Sequence, residues 1–294
     1  MALIIPGVQV TVVKEVLPQQ LAPSGVLGLI GFVEKSTNKV ERASSWTRFL
    51  ELFGAASAYS LPEARQALDN GVYELAISPL TGGVAASVQV PIKTASSTST
   101  NEAGLSLVAR VPGTWSNGLM ITIKYRDNVD TSIVSFDLSI KRPGGVDTGS
   151  ELFRDVRLAN LAEVIERSAI VKLDATATQK LPAEGKFVLA GGVDAAVGAY
   201  TTALTALEGE PDVDMVLASV PPDASMAVAT SVYSDVISHC NRMSSDCKGR
   251  IGFGQVPRGS SADDSKKLAS NLVSDRFVLV APNGVVGAVT GILS

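Results

Sequence analysis

Residues 25–33 read GVLGLIGFV, a run without a charged or polar side chain. Such a run is typical of a strand that is covered on both faces, as the strands of a parallel sheet are. Its glycines, Gly25, Gly28 and Gly31, lack the Gly-x-Gly-x-x-Gly spacing of a dinucleotide-binding loop, so we expect them to permit close packing. The run therefore predicts a buried sheet that begins here.

Helical and extended patterns alternate after this run. Ser45 can cap a helix over 46–53, in which apolar residues recur at i, i+3, i+4 and i+7, and Gly54 suits the position that ends it. A second short helix over 62–68 begins with a proline, and an apolar strand over 72–77 follows. This order predicts a parallel α/β sheet.

The middle of the chain has a different character. A segment rich in Ser and Thr, residues 94–104, is followed by strand patterns without intervening helices, and turns such as Pro112-Gly113 join them. A short helix over 160–167 closes this part. We therefore predict that residues 91–185 form an inserted antiparallel β-sandwich or barrel domain, with strands at 105–111, 119–125 and 133–141.

The alternation of strands and helices resumes at residue 186. We expect residues 25–90 and 186–294 to share one α/β sheet, which the β-rich insert interrupts. Residues 1–24 are predicted to be an extended arm and linker, because Val8, Val10 and Val12 share one face of a strand. The later strands are predicted at 186–190, 213–220, 250–254 and 276–281, and the later helices at 200–208, 224–243 and 262–273.

Composition narrows the classes of function. The chain has 294 residues, of which 46% are hydrophobic and 18% are charged, as in folded globular proteins. Its net charge of −4 provides no general field for binding nucleic acid. Cys240 and Cys247, with one histidine, do not suffice for a zinc site without carboxylates, and we expect two reduced thiols. No window reaches the ~20 apolar residues of a membrane span, and the first residues lack the basic region of a signal peptide.

Catalytic patterns are scarce. His239 is the one histidine, so any Ser-His or Cys-His mechanism must use it, but its place near the end of a helix favours a structural contact with the helix carbonyls. The chain has no Gly-x-Ser-x-Gly elbow and no Walker A loop. Asp212 and Asp214 precede a strand, so we interpret them as solvated loop residues. We predict no catalytic, metal or cofactor site.

Several segments resemble contractile phage tail sheath proteins and occur in the order of that family. Residues 6–10, 28–33 and 44–54 resemble its beginning, and 109–119 resemble its turn into a β-sandwich. Residues 189–194 and 200–208 resemble the start of its subtilisin-like α/β domain, a term that describes a fold and implies no protease.

The resemblance implies a structural role. Sheath subunits stack as sixfold rings into a helical sleeve around an inner tube, and contraction of the sleeve drives the tube through a target cell envelope without an active site. The implied partners are other sheath subunits, the inner tail tube protein, the baseplate and the tail terminator, with neither nucleic acid nor membrane insertion. The implied location is the virion tail, assembled in the bacterial host cytoplasm.

The resemblance also assigns a role to the first residues. The arm that carries Pro6, Gly7, Val8, Val10 and Val12 is implied to be a strand exchanged between subunits, because a lone strand must add to a sheet edge. We expect the usual C-terminal domain of the family, which receives such arms, to be absent from this chain. We therefore expect the isolated chain to be monomeric.

Two alternatives stay open. The chain could be a different tail or baseplate component with the same α/β core. It could also be an α/β hydrolase that uses His239 together with a serine or a cysteine.

Overall fold

The computed structural model describes residues 25–36, 38–54, 59–93, 103–126, 134–142, 150–281, 284–286 and 289–291. The strands are β1 (Val26–Gly31), β2 (Glu41–Ala43), β3 (Glu74–Pro79), β4 (Ser87–Pro91), β5 (Ala103–Ala109), β6 (Met120–Tyr125), β7 (Phe136–Lys141), β8 (Glu151–Val156), β9 (Val171–Leu173), β10 (Gly185–Val188), β11 (Met215–Ala218), β12 (Ile251–Gln255), β13 (Phe277–Val280), β14 (Gly284–Val286) and β15 (Val289–Gly291). The helices are α1 (Trp46–Phe53), α2 (Glu63–Asp69), α3 (Leu161–Glu166), α4 (Ala199–Leu207), α5 (Met226–Ser245) and α6 (Ala262–Asn271).

The central sheet has the strand order β13-β12-β11-β1-β3-β2. β1 pairs in parallel with β3 on one side and with β11 on the other, and only the edge strand β2 is antiparallel. Every residue of β1 is buried, as its continuous apolar run predicts. The predicted mixed α/β class is confirmed.

Helices cover the two faces of this sheet unequally. α4, α5 and α6 pack on one face and share a core with side chains such as Ile30 and Val216. α1 and α2 lie on the other face, where Phe49 and Phe53 pack with the opposite side of β1 and β3. Because side chains of a strand alternate between faces, β1 supplies both cores at once.

The first helix begins and ends where its sequence predicts. The Ser45 hydroxyl accepts a hydrogen bond from the main-chain N of Arg48, and Gly54 has a φ of 77°, in the region that favours glycine. α2 ends at Asp69, and Gly71, two residues later, has a φ of 93°. These local signals fix both helices between β1 and β3.

Two antiparallel sheets form the β-rich part of the chain. Their orders are β10-β6-β7-β8 and β4-β5-β9, and both contribute to one apolar core that α3 also contacts. The expected place of the strand at 186–190 was wrong, because β10 pairs with β6 and not with the parallel sheet. Its four residues are alternately half-buried and exposed, which is the pattern of an edge strand with one face exposed to solvent. The boundaries of a β-sandwich or barrel insert and the subtilisin-like arrangement stay predictions.

Candidate functional site

The predicted assembly arm lies outside the described residues. Pro6, Gly7, Val8, Val10 and Val12 belong to the first 24 residues, and the described chain begins at Gly25. There the main-chain N of Gly25 donates to Asp214 Oδ2 at 2.7 Å, which fixes the chain at the amino end of β1.

His239 is buried in the interior, with 1% of its surface exposed. Arg250, itself fully buried, donates from Nη1 to His239 Nε2 at 2.8 Å and also hydrogen-bonds the carbonyl oxygens of Leu207 and Glu210. Burial, aided by the positive charge of Arg250, lowers the pKa of His239 to about 4. The imidazole is therefore neutral and its Nε2 lone pair is engaged, which disqualifies it as an accessible general base.

The expected reason for a structural His239 needs correction. A contact with the carbonyl end of the helix dipole requires the last turn, whereas α5 continues to Ser245. The contact that holds the ring is the guanidinium of Arg250, which sequence reasoning missed because an arginine just before a strand usually faces water.

The neighbouring thiol is equally unsuited to catalysis. Cys240 is buried beside Gly252, and burial raises the pKa of its thiol to about 11. Cys247 is exposed, and both thiols are free, as expected. Neither thiol pairs with His239 as an activated nucleophile would.

Three carboxylates surround the guanidinium of Arg42 at the amino edge of the sheet. Its guanidinium is 2.7 Å from Glu74, 2.5 Å from Glu210 and 2.5 Å from Asp212. The hydrogen bond from Arg42 is the main cause that lowers the pKa of Asp212. Asp212 is thus ion-paired and partly buried, not simply solvated, and Asp214 accepts from the start of β1.

A cavity of about 430 Å³ opens at the opposite, carboxyl edge of the sheet. It lies between the ends of β1 and β11, where the connections of the sheet diverge toward opposite faces. Open α/β sheets bind their ligands at such a crevice. The residues that line it include Phe32, Tyr59, Glu63, Thr114, Asp194, Ser219, Asp223 and Arg258.

Among the residues that line this cavity, Glu63 is a buried acid with a raised pKa. It is 2% exposed, and Ser219 Oγ donates to its Oε2 at 2.8 Å. Burial raises the pKa of Glu63 to about 7. The burial of Glu63 is not predicted from the sequence, because an acid just after Pro62 fits the first turn of a helix, where exposed acids are common.

The cavity does not assemble a serine hydrolase. Ser219 follows β11 at the carboxyl edge, whereas α5 carries His239 back to the amino edge, near the start of β12. The partner of Ser219 is the carboxyl group of Glu63, and no imidazole stands between them. A serine without a base that can take its proton is a weak nucleophile.

Two segments that carry the family resemblance meet beside the cavity. Asp194 accepts hydrogen bonds from Tyr59 Oη at 2.8 Å and from the main-chain N of Thr114 at 2.6 Å. The Asn117 side chain donates to the carbonyl of Gly192 at 2.9 Å and accepts from its N–H at 2.8 Å. This junction, Thr114 and Asn117 with Gly192 and Asp194, joins the antiparallel sheets to the α/β part.

Other site types find no support in the described ranges. They contain no group of three or more His, Cys, Asp or Glu side chains placed to hold a metal ion. No helix among the described residues has the length and apolar character needed to cross a membrane.

Solved sheath tail proteins have the same fold. One from Desulfitobacterium hafniense aligns with 94% of this chain and 56% of its own, with a TM-score of 0.59 and 18% identity. One from Listeria innocua aligns with 92% of this chain and 53% of its own, with a TM-score of 0.51 and 19% identity. This chain therefore spans about half the length of those proteins. No protein-family model and no curated protein matches it.

Proposed function

We propose that this chain is a structural subunit of a contractile tail sheath, which polymerises around an inner tube and contracts to drive that tube through a target cell envelope. The observation that carries the proposal is the shared fold, which extends over 92% and 94% of this chain in the two sheath tail proteins. The resemblance found in separate sequence segments points the same way.

The chemistry of the described residues supports a role without catalysis. His239 is enclosed by Arg250, Cys240 is a buried thiol, and Ser219 faces a buried carboxyl group. In a sheath the work of contraction comes from the free-energy difference between two packings of the subunits. Such a subunit needs stable surfaces and no nucleophile.

The junction supports this role mechanically. A sheath subunit that changes its neighbours during contraction must keep its own shape, and the hydrogen bonds of Asp194 and Asn117 connect the two parts of the chain. Arg142 adds an ion pair to Glu34, which is 6% exposed. Partly buried, hydrogen-bonded charge pairs of this kind resist separation, because breaking one leaves an uncompensated charge.

We propose that the arm is the strand exchanged between sheath subunits. The alternation of Val8, Val10 and Val12 gives it one apolar face, and its backbone must pair with an existing sheet edge. In the full-length protein, deleting residues 1–16 is expected to abolish assembly, as seen by negative-stain microscopy, and to leave the melting temperature of the free subunit nearly unchanged. A large loss of subunit stability would instead assign the strand to its own domain.

The proposed partners follow from this role: other sheath subunits, the inner tail tube protein, the baseplate and the tail terminator, in a virion tail assembled in the bacterial host cytoplasm. Immunogold labelling of native particles with an antibody against this chain tests the proposal. Label along the whole tail shaft is expected. Label confined to one end of the tail would favour a baseplate component, and the absence of label from tails would contradict the proposal.

A further inference from the structure

The central sheet ends on one side at β13, whose outer edge pairs with no strand of the described residues. The carbonyl oxygens of Arg276 and Val280 accept hydrogen bonds from main-chain N–H groups of β12 and of the residue that follows it. Because successive main-chain groups of a strand point to opposite edges, those of Phe277 and Leu279 point away from β12. The outer edge therefore offers N–H and C=O groups in the geometry that another strand requires.

The other edge strands of the three larger sheets contain residues that discourage the addition of a strand. These residues are Glu41 and Arg42 in β2, Pro91 in β4, Glu151, Arg154 and Asp155 in β8, Lys172 in β9 and Lys186 in β10. β13 has the sequence FVLV, with neither a charge nor a proline. Charged side chains and proline are the means by which proteins commonly keep a sheet edge from pairing with another chain. By this comparison β13 is the edge that is open to a partner strand.

The two sides of β13 determine the side-chain pattern that a partner strand needs. Phe277 and Leu279 are partly buried against the core that contains α5 and α6. Val278 points to the other side of the sheet and is 46% exposed. A strand added at the outer edge therefore needs apolar side chains at every second position, which extend this core, and polar side chains between them, which meet solvent.

The arm of this chain has the required pattern. Val8, Val10 and Val12 alternate with Gln9 and Thr11. We propose that the outer edge of β13 receives the arm of another copy of this chain as an added strand. This inference rests on the proposed exchange of the arm between subunits, and it names the edge that accepts the arm.

Disulfide trapping between two populations of the full chain tests the proposal. Both carry Cys247→Ser, which removes the exposed thiol, and one also carries Gln9→Cys while the other carries Val278→Cys. The two new thiols share one side of the sheet in the proposed pairing, so mild oxidation of a concentrated mixture should join the two populations. Mass spectrometry of the digested product identifies the joined positions. The absence of this product, or a disulfide only between two copies of Val278→Cys, would overturn the proposal.

Matched positions show whether the cross-link reports a strand at this edge. Val10→Cys in place of Gln9→Cys should give less than about a tenth of the product, because its side chain would point to the opposite side of the sheet. Val188→Cys, at an exposed valine of the edge strand β10, should give similarly little in place of Val278→Cys. Equal yields at the control positions would overturn the assignment.

A single chain that carries Cys247→Ser, Gln9→Cys and Val278→Cys separates exchange from a contact within one chain. Exchange should give covalently joined chains, and their yield should fall on dilution. A monomer with an internal disulfide, formed to the same extent at every concentration, would overturn the proposal and assign the arm to the sheet of its own chain.

Synthetic peptides of residues 6–16 test whether the contact is made by the main chain. An excess of the unmodified peptide should suppress the cross-link by competing for β13. Only every second N–H of a paired edge strand faces its neighbour. N-methylation of the even-numbered valines and N-methylation of the residues between them should therefore differ, with competition lost in one peptide and kept in the other. Equal competition by both peptides would overturn strand pairing.

Failure of this inference is distinguishable from failure of the sheath proposal. Immunogold label along the tail shaft supports a sheath subunit whether or not the cross-link forms. With such label present, the absence of the cross-link overturns only the assignment of β13 as the receiving edge.

Discussion

The two faces of the central sheet use the same strands for different purposes. In β12, Gly252 and Gly254 lie under α5, where an added Cβ would come within 2.6 Å of Val236 and within 2.7 Å of Phe277. The alternate residues, Ile251 and Phe253, lie on the other side of the sheet. We call this side of β12 and β13, where Ile251 is 42% exposed and Val278 is 46% exposed, the open face. One strand therefore combines glycines that admit a helix on one side with large, partly exposed side chains on the other. Burial is a property of each face, not of the strand as a whole.

Each face also holds a buried ionisable group, and the pKa values of these two groups are shifted in opposite directions. His239, on the α5 side, is kept neutral by burial and by Arg250, whereas burial of Glu63, on the α2 side, favours the protonated form of its carboxyl group. The pKa of the histidine is lowered and that of the acid is raised. Stability should therefore depend on pH with opposite signs at the two places, and the two effects partly cancel in the wild-type chain.

The largest contrast is expected for one substitution placed on each face. Val216→Asp puts an unpaired carboxylate into the core beneath the helices, since Val216 is fully buried, and should lower the free energy of unfolding by at least about 4 kcal/mol. Val278→Asp, on the open face, should lower it by less than about 1 kcal/mol. Urea denaturation measures both values. Similar losses would show that the free chain already covers its open face.

A smaller effect is expected from His239. Its folded pKa of about 4 is below the unfolded value of about 6.5, so its contribution is complete above pH ~6.5 and is lost as the pH falls toward 4. His239 should contribute a loss of about 2 to 3 kcal/mol over this range, seen as the difference between the pH profiles of the wild-type chain and His239→Gln, because Glu63 acts equally in both. Urea denaturation from about pH 7 to pH 4 provides the comparison. Parallel pH profiles of the two proteins would contradict a neutral, buried His239.

A comparable or smaller effect of opposite sign is expected from Glu63. Its folded pKa of about 7 is above the unfolded value of about 4.5, so its contribution is complete below pH ~4.5 and is lost as the pH rises to 7. Glu63→Gln should therefore stabilise the chain by about 2 kcal/mol near pH 8 and should give little gain near pH 4. The exposed control Glu51→Gln should change stability at neither pH. A loss of stability at pH 8 would show that Glu63 is needed in its charged form.

The sequence predicted those parts of the fold that depend on local signals. Ser45 and Gly54 mark the ends of α1, and the apolar run at residues 26–31 marks a strand covered on both faces. β10 was misplaced because a short edge strand has no local feature that identifies its partner, and only its pairing with β6 decides the sheet. A local sequence pattern identifies a strand more readily than it identifies the strand with which it pairs.

The candidate sites were harder to predict for the same reason. Arg250 and Glu63 are charged residues next to a strand and a helix start, positions where charge usually faces water. Their burial follows from long-range packing, which brings Arg250 to His239 and Leu207 and brings Glu63 to Ser219. The open face was equally hidden, because an apolar strand does not reveal which of its sides has a partner.

A cryo-electron microscopy reconstruction of the native tail tests the sheath proposal most directly. We expect the tail shaft to show sixfold rings in which each subunit fits the fold of residues 25–281, stacked helically around a central tube. If this fold fits only a single ring at one end of the tail, or no part of the particle, the proposal that the chain is a sheath subunit is wrong.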